Sequence, residues 1–312
     1  MLEFFNTHTR IRFMATRKWW YTLSAVMIGL SAIALWKPGL NYGLDYTGGI
    51  AVELYFPQAA DVDQIRDAVH AVGFPDAQVN LFGSVREVVV RLEPRTDVTA
   101  TQVGERIRAA LQPSEPKVEV RRVEFVGPQV GEELREKGYL AMLFTFIFIL
   151  IYIAWRFEKK MAVGAILAAL HTPIVILGYF AFTRMTFDLT VLAAILAVVG
   201  YQINDTVVVF DRARERFPLM RGSTPAEVLD AAINQTLSRT VITSGATMIV
   251  VAAMLFLGGE TLRGFSAAIL IGVVVGTYSS IYIASASALD LKLTAKDLMA
   301  TRAENRPVDD MP

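Results

Sequence analysis

The sequence predicts a polytopic α-helical membrane protein with six transmembrane helices and a small α+β domain of ferredoxin-like type between spans one and two. Three observations carry this. Six apolar runs approach or reach the length that crosses a bilayer, about 20 helical residues. One block, residues 37–138, instead has the Pro, Gly and charge content of an ordinary soluble domain. Basic residues collect on alternate connections, which is how multi-pass proteins are oriented. Composition agrees: 54% of the 312 residues are hydrophobic and 19% charged, with a mean hydropathy of +0.42.

Residues 1–18 are short and basic, with Arg10, Arg12, Arg17 and Lys18. Trp19, Trp20 and Tyr21 follow as an interfacial aromatic belt and open span one, residues 19–36. Its end, Leu35-Trp36-Lys37-Pro38, lacks a small-residue cleavage site, so the span reads as an uncleaved anchor. Within 37–138, residues 50–56 alternate like a strand, and residues 61–72 have helical spacing through Val62, Ile65, Val69 and Val72. Residues 87–92 read as a second strand, 99–111 as a second helix and 117–126 as a third strand. Gly127, Pro128 and Gly138 mark the exit.

Five further spans are expected at about 139–155, 161–182, 187–210, 240–258 and 263–289. Arg156, Lys159 and Lys160 lie between spans two and three; Arg212, Arg214, Arg216 and Arg221 between four and five; Lys292, Lys296 and Arg302 after six. The opposite short loops carry only Arg184 and Arg263. The positive-inside rule therefore places both termini, the 211–239 loop and the 290–312 tail in the cytoplasm, and residues 37–138 outside, in the periplasm of a Gram-negative cell. In the 211–239 loop, Thr224-Pro225-Ala226-Glu227 has the cap, first-turn proline and glutamate that start a short helix. Two glycosylation patterns, at Asn204 and Asn234, fall in the membrane and the cytoplasm and are set aside.

The exclusions are informative. With 30 basic and 30 acidic residues the net charge is +0, so no nucleic-acid footprint is expected. With 0 cysteines there is no disulfide, thiolate metal site or cysteine nucleophile. The histidines are His8, His70 and His171, and no phosphate-binding loop or paired-histidine zinc motif occurs. No cofactor, no metal and no enzymatic activity are expected, and any work done by the chain would draw on an ion gradient.

Polar residues at membrane depth are the candidate site. Span four carries Gly200, Gln202, Asn204 and Asp205 before Val207, Val208, Val209 and Phe210, and ends in Asp211 and Arg212. Asp205 lies about five residues inside the charged end, roughly 7–8 Å deep. A carboxylate there is costly and by default marks ion, proton or substrate traffic; the competing reading is a capping or packing carboxyl. Span five opens with Arg239, Thr240, Thr243, Ser244 and Thr247, whose hydroxyls share one helical face. That stripe reads either as a wet path beside Asp205 or as helix–helix hydrogen bonding. Arg239 either pairs with Asp205, setting its charge against desolvation, or snorkels to the surface. Span six carries Gly264, Gly272, Gly276, Ser279, Ser280, Ser285 and Ser287, and its Gly272-to-Gly276 spacing reads as close packing. His171, followed by Thr172 and Pro173 in span three, reads equally as a proton-path member or a packing histidine.

Four segments resemble the SecF branch of the SecD/SecF family, itself part of the resistance–nodulation–division (RND) superfamily. Leu44-Asp45-Tyr46-Thr47-Gly48-Gly49 is similar to the signature opening the family's external domain, and Val126-Gly127-Pro128 through Leu134 to its re-entry motif. Residues 200–212 and 237–245 resemble its fourth- and fifth-span motifs. The resemblance covers nearly the whole chain, departing at Gln202, where serine is usual, and at Thr172, where aspartate is common. It implies half of an RND-type bundle and an auxiliary subunit of the bacterial Sec preprotein translocase in the inner membrane. The implied partners are SecD, YajC, the SecYEG channel, the preprotein in transit and the surrounding membrane lipids, with proton flow as the driving force. It implies proton-relay roles for Asp205, Arg239 and Thr243 and a movable joint at Asp45, Gly48, Gly49, Gly127 and Pro128; Gln202, Asn204, Thr240, Ser244 and Thr247 read as polar support around the relay. An exporter of drugs or lipids and a purely structural subunit remain the competing functions.

Overall fold

The computed structural model describes residues 10–94, 98–220, 222–294 and 297, apart from the side chains of Phe82 and Glu260. Residues 1–9, Arg221 and most of the 290–312 tail lie outside the described residues, His8, Lys296 and Arg302 among them.

The membrane part contains α1 (Arg17–Trp36), α5 (Pro128–Arg156), α6 (Lys159–Thr183), α7 (Leu189–Leu219), α8 (Pro225–Leu257) and α9 (Gly259–Tyr278). A π-helical turn, Ser279–Ala284, continues α9 into α10 (Ser285–Asp290). The result is six helices long and apolar enough to cross a membrane. The helices outrun the apolar runs because a span does not end where hydropathy does. Proline at the first position of α5 starts that helix on the last residue of the domain, so residues 128–138 belong to the helix. The segment between spans four and five is largely helical, as the end of α7 and the capped beginning of α8. The Thr224 cap starts not a separate short helix but one 33-residue rod.

In the most apolar 18-residue stretch of each span, more than half is buried in α6, α7 and the α9–α10 span, and under a fifth in α1, α5 and α8. Glycines permit the close central contacts: a methyl group at Gly272 would meet the Val198 side chain at 2.5 Å, and one at Gly276 would meet Gln202 at 3.3 Å. The Gly272-to-Gly276 spacing thus seats α9 on α7.

The extramembrane domain contains β2 (Gly49–Tyr55), α3 (Val62–Ala71), β3 (Gln78–Phe82), β4 (Ser84–Leu92), α4 (Ala100–Leu111) and β5 (Glu119–Val126). Its four strands are antiparallel in the order β3-β4-β2-β5, with α3 and α4 packed on one face through Ile65, Val69, Val103, Ile107 and Leu111. That is the ferredoxin-like βαββαβ arrangement. The three strands read from the sequence omit β3, which alternates through Val79 and Leu81 and turns tightly into β4 at Gly83, φ +80.

Two short pieces join domain to bundle. The strand β1 (Asn41–Tyr42) pairs in parallel with β6 (Thr186–Phe187), between α6 and α7, and α2 (Leu44–Thr47) packs on α5. The face of the sheet away from α3 and α4 looks onto this end of the bundle across a polar crevice of about 730 Å³, lined by Glu53, Arg91, Arg122, Glu124 and Asp188 among others.

Candidate functional site

The helix carrying Asp205 is anchored at the domain side. Asp188 caps it, accepting from the Val191 amide at 2.8 Å, and Asp45 Oδ2 accepts from the Leu189 amide at 3.2 Å. Carboxylates suit a helix N-terminus, where amides lack partners and the dipole is positive. Asp45 therefore connects the domain entrance to one end of a continuous 31-residue helix. Asp205 lies about 24 Å further along it, at 1.5 Å per residue.

Asp205 is 5% exposed, and its Oδ2 is buried without a hydrogen-bond partner. Among the described residues it makes no ion pair within 4.0 Å; the Arg239 charge acts on it only through space. Gln202, one turn away, donates from Nε2 to the Ala168 carbonyl at 2.7 Å, and its Oε1 is buried and unpartnered. Thr206 shares a hydrogen bond with Ser280 at 2.9 Å. From α8, Thr240 is buried, and Ser244 is buried with its hydroxyl 3.0 Å from that of Thr277. Gln202, Asp205, Thr240 and Ser244 are thus drawn inside.

The other candidates divide differently. Arg239, Asn204 and Thr243 are exposed on the outside of this single bundle, and Thr247 is half-buried. Asn204 thus lies outside this bundle's interior, and the hydroxyl stripe does not face one way. Thr243 donates to the Arg239 and Thr240 carbonyls at 3.0 and 3.1 Å, and Thr247 to the Thr243 carbonyl at 3.0 Å. These bonds to the preceding turn satisfy hydroxyls on an apolar helix without any neighbour.

The domain entrance is close-packed. Gly49 has φ +120, and a methyl group on it would sit 2.2 Å from the Leu92 carbonyl oxygen. A methyl group on Gly131 would lie 3.0 Å from the Gly48 nitrogen. Gly127 precedes Pro128 as the N-cap of α5, so strand β5 passes into α5 through a single residue. Asp45, Gly48, Gly49, Gly127 and Pro128 are together in one tight junction.

Sequence reading passed over Arg91. Its guanidinium donates to Thr186 Oγ1 at 2.7 Å, Asn41 Oδ1 at 3.2 Å and the Tyr42 carbonyl at 3.4 Å, bonding β4 to both strands of the joint. Burial pulls this guanidinium below its ordinary value, while Asp188 and Glu124 oppose the shift. Glu53, across the crevice, is pushed up, mainly by burial. The sequence signal for Arg91 was slight: a charge between the core residues Val90 and Leu92 of a strand that also carries Arg86 and Glu87. Thr206, Ser279 and Ser280 were visible only as small residues within apolar runs.

Fold and site define a multi-pass membrane subunit with an extramembrane ferredoxin-like domain and one unpaired carboxyl among buried hydroxyls. Known proteins of this form fall together. Residues 106–294 match the family described as protein export membrane protein SecD/SecF, C-terminal, and residues 33–54 match the SecD/SecF GG motif. The protein translocase subunit SecF of Vibrio alginolyticus is 48% identical, covering 100% of both chains. That of Pseudomonas aeruginosa is 44% identical over 97% of this chain and 98% of its own. The crystal structure of SecDF, a translocon-associated membrane protein from Thermus thermophilus, superposes with a TM-score of 0.84 at 38% identity. The match covers 92% of this chain and 39% of that one, so the chain spans about two fifths of the SecDF polypeptide. The chain belongs to the SecD/SecF family.

Proposed function

We propose that this chain is an auxiliary subunit of the Sec preprotein translocase that works with a SecD partner and uses the proton gradient to promote export across the bacterial inner membrane. The observation that carries the reading is Asp205: a carboxyl held in the bundle interior with an unpaired oxygen, on a helix tied through Asp45 to the extramembrane domain. Protonation removes the charge from that interior, so the two protonation states favour different packing around α7. The rigid helix and the tight glycine junction transmit such a change to the domain.

Asn204, Arg239 and Thr243 support the partner half of the reading. Polar groups at membrane depth belong against protein or water, and a second six-span bundle supplies that cover. SecYEG, YajC and the preprotein are the further partners in this reading. Arg156, Lys159, Lys160 and Arg212 lie at the end opposite the domain, which by the positive-inside rule supports a cytoplasmic assignment for that end and a periplasmic one for the domain. The crevice under the domain is lined by charges of both signs, which does not suit an apolar drug or lipid.

The test is preprotein export in cells whose sole SecF-type chain carries Asp205→Asn, which keeps size and hydrogen bonding but cannot ionise. Export is expected to fall to the level without the subunit, with both subunits at normal abundance. Normal export in that strain would refute the proton assignment and leave a scaffold subunit.

A further inference from the structure

The π-helical turn after α9 directs two adjacent serines to two different helices. Ser279 and Ser280 are both essentially fully buried. Ser279 Oγ lies 2.7 Å from His171 Nδ1 and accepts from Thr172 Oγ1 at 3.3 Å, both on α6. Ser280 Oγ lies 2.9 Å from Thr206 Oγ1 and donates to the Gln202 carbonyl at 3.3 Å, both on α7. The widened turn has two local supports. Ser285 donates to the Ser280 carbonyl at 3.3 Å, and at Gly164 a methyl group would sit 2.3 Å from the Ala284 carbonyl oxygen. Such single turns within α-helices are frequent at functional sites.

The bond from Gln202 to the Ala168 carbonyl sets the relative height of the antiparallel α6 and α7. His171 lies three residues above that level on α6 and Asp205 three residues below it on α7. At 1.5 Å per residue they are about 9 Å apart along the bundle axis. The Ser279, Ser280 and Gln202 groups occupy the interval, and Thr206, bonded to Ser280, sits beside Asp205 at its lower end.

His171 is 4% exposed, and its Nε2 is buried without a partner, as are Gln202 Oε1 and Asp205 Oδ2. Among the described residues, no charged side chain acts on the imidazole. The titratable neighbour is the Tyr278 ring of α9, at 5.9 Å between centroids, and that hydroxyl is engaged with Ser24 and the Trp20 carbonyl of α1. Because Thr172 donates to Ser279, the Ser279 proton is available to Nδ1, and the neutral ring then carries its hydrogen on the unpartnered Nε2. Buried polar atoms of this kind bind internal water.

We propose that His171 is a second proton-carrying group of the bundle, coupled to Asp205 through the hydroxyl and water cluster at the π-helical turn. The inference rests on the proton-coupled reading of Asp205 and adds a group, on a different helix, that this reading does not use. Hydronium in the internal water gives a proton to Nδ1, the Ser279 hydroxyl turning to accept from it, which leaves water and an imidazolium with hydrogen on both nitrogens; return of that proton to water restores the neutral Nε2–H ring.

The chain has 3 histidines, so histidine-selective ¹⁵N labelling resolves His171 by comparison with a His171→Gln control. The full chain is measured with its partner subunit in lipid nanodiscs from about pH 5 to pH 9, the range that brackets histidine. His171 is expected to pass from cation to neutral Nε2–H form within that range. In Asp205→Asn its midpoint is expected to fall by up to about 1 pH unit, the effect of removing a unit charge offset by about 9 Å along the bundle axis at an effective dielectric of about 20. A His171 that stays in one neutral form throughout overturns the proposal on wild-type protein alone, and an unmoved midpoint in Asp205→Asn overturns the coupling. The export assay separates the two readings. Export lost in Asp205→Asn with a silent His171 removes only this inference; export retained with a titrating His171 removes the Asp205 assignment and with it the coupling, leaving His171 as a proton-carrying group by itself.

Discussion

Asp297, beyond α10, shows how one side chain can carry a pH dependence. Lys160 donates to its carboxyl at 2.7 Å, and the Thr294 hydroxyl and amide donate at 2.7 and 2.8 Å. The Lys160 bond first, then those from Thr294, hold the carboxyl down at about 2. A depressed carboxyl stabilises the folded form fully above the unfolded value of about 3.9 and loses that contribution as pH falls through the folded value. The clasp is therefore expected to hold down to about pH 4 and to open between about pH 4 and 2. Amide-exchange protection of Thr294 reports it, and Lys160→Met should move the loss of protection upward toward pH 4. Both groups are partly exposed, so added salt should weaken the clasp. The residue scale also shows what a helical wheel leaves open. Thr240, Thr243, Ser244 and Thr247 do share a spacing, yet Thr240 and Ser244 point inward and Thr243 outward. Spacing gives relative angles around a helix, and only neighbours set the absolute rotation.

Between domain and bundle, the deciding elements are the shortest ones. The two-residue strands β1 and β6 have too few hydrogen bonds to persist alone, and Arg91 bonds to both of them from β4. Removing it with Arg91→Ala should cost the joint about 2 kcal/mol, as expected for losing hydrogen bonds from a charged group. Hydrogen exchange should quicken at residues 41–42 and 186–187 while α7 keeps its protection. If exchange at those residues is unchanged, the glycine junction alone holds the domain and Arg91 is not a clasp. The same scale explains β3. Its five residues include Gln78 and Asn80 on the crevice side, and a short, half-polar edge strand is hard to tell from a loop until β4 pairs with it.

At the scale of the whole molecule, the bundle has one side that a single copy does not complete. Asn204 on α7 and Arg239 and Thr243 on α8 are exposed at membrane depth. The chain has 0 cysteines, so single cysteines can be introduced without background. Asn204→Cys and Thr243→Cys are expected to cross-link to the SecD-type partner in native membranes. Leu30→Cys, on the outer face of α1, which packs on α6, should stay uncross-linked. Equal cross-linking at all three positions, or none at the first two while the partner co-purifies, would remove that face as the contact.

By itself the sequence determined the class of this molecule. Span number follows from apolar length, because a bilayer admits only segments whose backbone is internally bonded. The ferredoxin-like domain follows from periodicity, because its sheet and helices each have one wet and one dry face. Asp205 followed from cost, as a carboxyl inside an apolar run. What only the tertiary structure decided was direction: which polar groups turn inward, that Arg239 stands off from Asp205, and that Arg91 bonds both strands of the joint. A turn of changed pitch that sends Ser279 to His171 and Ser280 to Thr206 also had no sequence signal. The physical reason is that lipid and protein interior are equally apolar, so hydropathy in a span says that it is buried but not which way it faces. The facing is set by contacts such as Gly272 against Val198 and Gln202 against Ala168, between residues far apart in the chain.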